Sequence, residues 1–220
     1  LQLVWLQVLL DKGLSFTSDD LMEEFIKCYP ANPNEYGYGK RNYRRGIKPP
    51  VSGTFANEFF MNSMGCPIRA EIWAMICPGR PEKGIELAYR DGCLDHGEES
   101  IYAEQYITAL ESLSFLSQDR LELIKKAMEY IPETSRIYHV ISDISGAFEK
   151  GSELEKVMDY LETEYGDVDC SISFYNIGVI ALALLYGNGE FEKTITLAVN
   201  CGYDTDCTAA TLGAVLGIMY

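Results

Sequence analysis

Apolar residues recur at helical spacing along nearly the whole of this chain, and strand-like alternation is almost absent. That pattern excludes most sheet-based architectures and predicts an all-α fold of about ten helices. The clearest segment is Ile177 to Tyr186, an uninterrupted apolar run that reads as a helix buried on every side. It is too short for a membrane span, which needs roughly 18 or more such residues. The only strand candidate is Val168 to Phe174.

Local signals set the predicted boundaries. A helix over Leu1 to Asp11 stops at Gly13, and Thr17 with Asp20 approximates a capping box for a helix over Leu21 to Cys28. Ala31 to Phe60 is rich in Gly, Pro, Asn and Tyr and reads as a long loop with one short helix near residues 38–45. Further helices are expected at 66–76, 82–91, 99–115, 119–130, 135–150, 152–165, 172–186 and 191–200, with a last one opening at Ala209. No repeat or low-complexity tract divides the chain, so residues 1–220 are expected to form one domain. Both termini fall inside apolar helical patterns, without a cap at Leu1 or a stop at Tyr220, and are expected to be cuts within a longer protein.

The formal charge of −15 argues against direct nucleic-acid binding, which needs basic stripes. The one basic cluster is Lys40, Arg41, Arg44, Arg45 and Lys48, either a phosphate contact or a solvated loop. Seven cysteines without a Cys-x-x-Cys pair argue against a disulfide framework or a zinc knuckle. They suit small core positions in a reducing, cytoplasmic compartment, and no signal segment is visible.

The sharpest chemical feature is Asp204, Thr205 and Asp206, placed after Gly202 and before a run of small residues. Two carboxylates this close repel unless a proton or a cation intervenes, and a hard cation such as Mg²⁺ prefers oxygen ligands. The competing reading is a helix cap, because Asp at a helix start satisfies free N–H groups. The downstream Gly and Glu of an EF-hand loop are missing.

Asn200 to Gly217 resembles the C-terminal metal motif of the ADP-ribosylglycohydrolase (crystallin J1-like) family, Gly-Gly-Asp-Thr-Asp-Thr followed by a small-residue helix. The resemblance implies an all-helical, divalent-metal-dependent hydrolase that cleaves N- or O-glycosidic bonds to ADP-ribose. It assigns Asp204, Thr205 and Asp206 to one or two Mg²⁺ ions, with Mn²⁺ as a substitute. The family's ligating Thr falls on Cys207, a poor Mg²⁺ ligand, so this position either loses that contact or leaves it to a neighbour such as Thr208. A bacterial branch of the family carries the Asp-Thr-Asp-Cys form found here.

Ser63 to Ala70 is similar to the family's Gly-Asn-Gly-x-x-Met-Arg segment, and Ala88 to His96 to its helix-then-His segment. The resemblance makes Gly65, Arg69 and His96 substrate-binding candidates. Arg69 serves either the pocket or a buried carboxylate, and His96 either the pocket or a loop. Glu98, Glu99 and Tyr102 are weaker candidates, and His139 reads as structural. The implied partner is ADP-ribose or an ADP-ribosylated substrate. The family's first metal motif and its acid or base Glu are expected upstream of Leu1. The alternative is a non-catalytic ADP-ribose-binding or structural member of the same fold, as the lens crystallin shows to exist.

Overall fold

The computed structural model describes residues 1–220 as thirteen α-helices and no strand. They are α1 (Gln2–Lys12), α2 (Ser18–Cys28), α3 (Asn34–Arg44), α4 (Val51–Thr54), α5 (Ala70–Met75), α6 (Pro81–Gly92) and α7 (Glu98–Ser114). There follow α8 (Arg120–Met128), α9 (Arg136–Glu149), α10 (Leu154–Tyr165), α11 (Ser173–Tyr186), α12 (Phe191–Asn200) and α13 (Thr205–Met219). No helix is long and apolar enough to cross a membrane.

Two cores organise these helices. The larger is built from α7 to α13, and the smaller joins α1, α2, α5 and α6 around Trp5, Phe25 and Trp73. The apolar run at 177–186 does form the buried helix α11, and only Tyr186 of that helix is not fully enclosed. Helix α7 is the second central rod. It packs closely on α6 because Gly92 and Gly84 leave room: a Cβ there would stand 2.6 Å from a Glu104 oxygen and 2.8 Å from the Thr108 methyl, respectively. The seven cysteines are free thiols, with Cys66, Cys77 and Cys93 buried.

The Thr17–Asp20 capping box is present in full, Thr17 accepting from the Asp20 amide and Asp20 accepting from the Thr17 amide. Three expectations need correction. Residues 168–174 form no strand; Ser63 and Ile172 make a single antiparallel bridge, and α11 starts at Ser173. The stretch read as a long loop holds the three-turn α3 and the short α4. Lys40 is not part of an exposed basic patch: it is buried, donates to the carbonyls of Tyr29 and Ala31, and lies over the rings of Phe25 and Tyr29.

Candidate functional site

The last helix begins at Thr205, four residues before the small-residue run that was expected to open it. Asp204 therefore stands at the N-cap, with Asp206 and Cys207 in the first turn. Three neighbours fix that register. Gly202 and Tyr203 both adopt positive φ, a conformation costly for Tyr203. The Tyr203 ring stacks on Tyr175 with centroids 3.7 Å apart, and its hydroxyl accepts from the Asp167 amide at 3.0 Å. The Asn176 side chain accepts from the Asp204 amide at 3.1 Å and donates to the carbonyls of Cys170 and Ile172.

The carboxylates of Asp204 and Asp206 and the Cys207 sulfur lie within 4.8 Å of one another. The Asp204 carboxylate makes no full capping hydrogen bond, although the amide and thiol of Cys207 in the first turn lie near it. Burial raises its pKa, the Cys207 thiol and amide oppose the rise, and the Asp206 carboxylate adds to it. The Cys207 thiol is itself pushed up by burial and by Asp204, which keeps it protonated. Two close carboxylates in this setting fit a hard divalent cation. A protonated thiol adds little to its coordination. Thr208, the alternative ligand, is buried and donates to the Thr205 carbonyl within its own helix.

Gly65, Arg69 and His96, far apart in sequence, meet in a second cluster. Arg69 has 2% side-chain exposure and forks across two buried aspartates, reaching Asp91 at 2.7 Å and Asp95 at 3.0 Å. Of its two readings, the buried-carboxylate one is realised. His96 is fully buried; its Nδ1 pairs with Asp95 at 2.6 Å and its Nε2 with the Ser63 hydroxyl at 3.2 Å. Burial pushes the Asp95 carboxyl up, but Arg69 and His96 outweigh it and bring it down to about 2. Asp91 also touches Arg69, yet burial raises it, and Asp95 adds to the rise. Burial, and after it Asp91, raises Glu104 well above the ordinary carboxylate range.

Gly65 makes this assembly possible. A Cβ there would fall 2.1 Å from a Glu35 oxygen and 2.9 Å from His96 Nε2. Beside the cluster opens a cleft of about 290 Å³ lined by Leu1, Gln2, Leu3, Tyr36, Ile68 and Arg69. A larger surface groove of about 780 Å³ between α9 and α10 shares no residue with either cluster. The smaller cleft, which Arg69 of the buried network lines, is the better candidate.

The segment 62–71 ties the two clusters together. Met64 donates to the Ser171 carbonyl and Ser173 to the Asn62 carbonyl, both at 2.8 Å, just ahead of Asn176. At its other end, Glu71 accepts from Gln2 Nε2 at 2.5 Å and raises the pKa of Cys207. Burial lifts Glu71 to about 7 against a smaller opposing effect from Gln2. A carboxyl raised by folding contributes stability that is complete below its unfolded pKa near 4.5 and lost as pH rises through 7. Glu71→Gln is expected to escape that loss. The melting temperature of the variant minus that of the wild type should climb between pH 5 and pH 8, and a flat or falling difference would refute the assignment.

Glu35, Asp91, Asp95, Glu71, Glu104 and Glu111 went unnoticed in the sequence. Glu104 and Glu111 carried a usable signal, seven residues apart on one face of α7, among Ala103, Ile107 and Leu110. Glu99, a weak site candidate, caps α9 by accepting from the Arg136 and Ile137 amides. His139 is exposed on α9 and belongs to neither cluster.

These features describe an all-helical domain with acidic groups at one helix start and a buried His–Asp–Arg network beside a cleft. The family model described as ADP-ribosylglycohydrolase matches residues 1–220, and the chain belongs to that family of glycohydrolases. No curated relative and no solved structure shows significant similarity to it.

Proposed function

We propose that this chain hydrolyses a glycosidic bond to ADP-ribose, on a modified protein or a small molecule, with Mg²⁺ held by Asp204 and Asp206 and with Mn²⁺ as a substitute. The observation that carries the reading is the meeting of the Asp204 and Asp206 carboxylates, with the Cys207 sulfur, within 4.8 Å at the start of α13. A bound divalent cation would supply Lewis-acid stabilisation of developing charge at the scissile bond. The chain's own residues do the rest. Asn176 and the Tyr175–Tyr203 stack hold the Asp204 turn in place. The Arg69–Asp95–His96 network fixes the imidazole beside Gly65, whose missing side chain leaves room for Glu35 and His96 to meet there. Seven free thiols suit a reducing, cytoplasmic setting.

The protonated Cys207 favours a second reading, a non-catalytic ADP-ribose-binding member, because it weakens the cation site. A thermal-shift titration with ADP-ribose, with and without Mg²⁺, tests the binding common to both. A ligand at 100 times its Kd adds about 2.7 kcal/mol, or roughly 5–10 °C for a chain of this size. A rise that requires both components is expected. No rise under any condition would overturn the ADP-ribose reading, and binding without turnover would leave the second.

A further inference from the structure

Glu35 is the only acidic residue of α3, and the fold buries it to 6% exposure. A buried carboxylate is costly unless a partner compensates it. Arg69 finds two aspartates in the same region, whereas Glu35 has no ion pair, and its only hydrogen bond is with its own backbone amide. One of its oxygens and His96 Nε2 flank the same bare Cα, that of Gly65. The Gly65 N–H has no acceptor in the fold, while the Gly65 carbonyl accepts from the Tyr36 hydroxyl at 3.2 Å. The Glu35 carboxylate, without a partner side chain, thus lies against Gly65, and the next residue, Tyr36, lines the 290 Å³ cleft.

A carboxylate in such a place suits vicinal hydroxyls, which can donate to both of its oxygens in charge-assisted hydrogen bonds. We propose that Glu35 is a ligand-contacting residue of this site and accepts hydrogen bonds from the hydroxyls of a ribose seated beside Gly65, on the side of the cleft that Tyr36 and Arg69 line. The inference deepens the ADP-ribosyl hydrolase reading and rests on it. It also gives Gly65 a purpose, since a side chain there would displace Glu35.

Binding of ADP-ribose and of ADP to the wild type and to Glu35→Gln, measured by titration calorimetry in Mg²⁺ buffer, tests it. The variant keeps the side chain's size and removes the charge, and it is expected to bind ADP-ribose about tenfold more weakly. Losing a negative charge near a diphosphate would by itself tighten binding, so weakening reports the lost hydrogen bonds. The melting temperature should hold or rise, because an uncompensated buried charge has been removed. Weakening confined to ADP-ribose supports contact with the terminal ribose, and weakening of both ligands supports contact with the ribose they share. Unchanged affinity for both overturns the inference. A wild type that binds neither overturns the underlying reading and the inference with it. If the Gln variant fails to fold, Glu35→Asp, which keeps the charge but withdraws it by one methylene, supplies the same comparison.

Discussion

Replacing Asp206 by alanine is expected to lower the cleavage rate of an ADP-ribosyl bond about a thousandfold in the protein that carries this chain. Cation stabilisation of transition-state charge is worth several kcal/mol, and each 1.36 kcal/mol is a factor of about ten in rate. The substitution is clean because Asp206 is exposed in the first turn of α13 and supports no packing. Its structural cost is the helix-dipole contribution of one acidic residue, ~0.3–1 kcal/mol. Part of that is offset, since its removal relieves the repulsion that raises Asp204. Asp206→Asn, which keeps the shape, should share most of the rate loss if charge is what matters. Full turnover in the alanine variant would remove Asp206 from the cation site. A matching collapse of the melting temperature would mean that the residue serves the fold instead.

Arg69→Ala is expected to be the most damaging single change to stability. The guanidinium is the only cation between Asp91 and Asp95, all three groups being buried. Truncating one member of a buried ion pair costs about 3–5 kcal/mol, because the charges left behind have neither water nor a partner. For a domain of this length that is a fall of roughly 10 °C or more in melting temperature. Trp73 would remain as a donor to Asp91 at 3.0 Å, but Asp95 would keep only His96. Adding Asp91→Asn and Asp95→Asn to Arg69→Met should recover much of the loss, since replacing all partners is gentler than stranding some of them. A melting temperature within 2 °C of the wild type for Arg69→Ala would show that the cluster is hydrated in solution and that the network is weaker than its geometry indicates.

What the sequence revealed follows from which forces are local. The Thr17–Asp20 box is three residues wide, and the α11 run needs no partner to be read as buried, so both were legible. The Asp204–Asp206 pair was legible as chemistry but misplaced in register. The small residues from Ala209 onward look like a helix start, whereas Asn176, 28 residues upstream, sets the true one by holding the Asp204 amide. Helix α3 was hidden by Gly37 and Gly39, which lower intrinsic helicity. It is held by tertiary contacts instead: Gly39 packs on Leu94 and Asp95, and Lys40 ties back to Tyr29 and Ala31. Glu35 was lost with it. Arg69's partners lie 22 and 26 residues away, and no local pattern announces a pairing across that interval.

The two carboxyls that α7 carries into the interior change how the charge of this molecule should be counted. Glu104 and Glu111 are fully enclosed, and burial raises both far above the ordinary carboxylate range. The formal −15 therefore overstates how readily the native chain gives up protons from these two groups. Unfolding exposes both groups to water, where they ionise, so opening the molecule is an acid-releasing reaction and closing it takes protons from the solvent. Alkalinity then acts on the interior like a denaturant. As the pH climbs, the acidity of the medium that once favoured a sealed core fades, and the middle of α7 becomes the place where the chain senses the change.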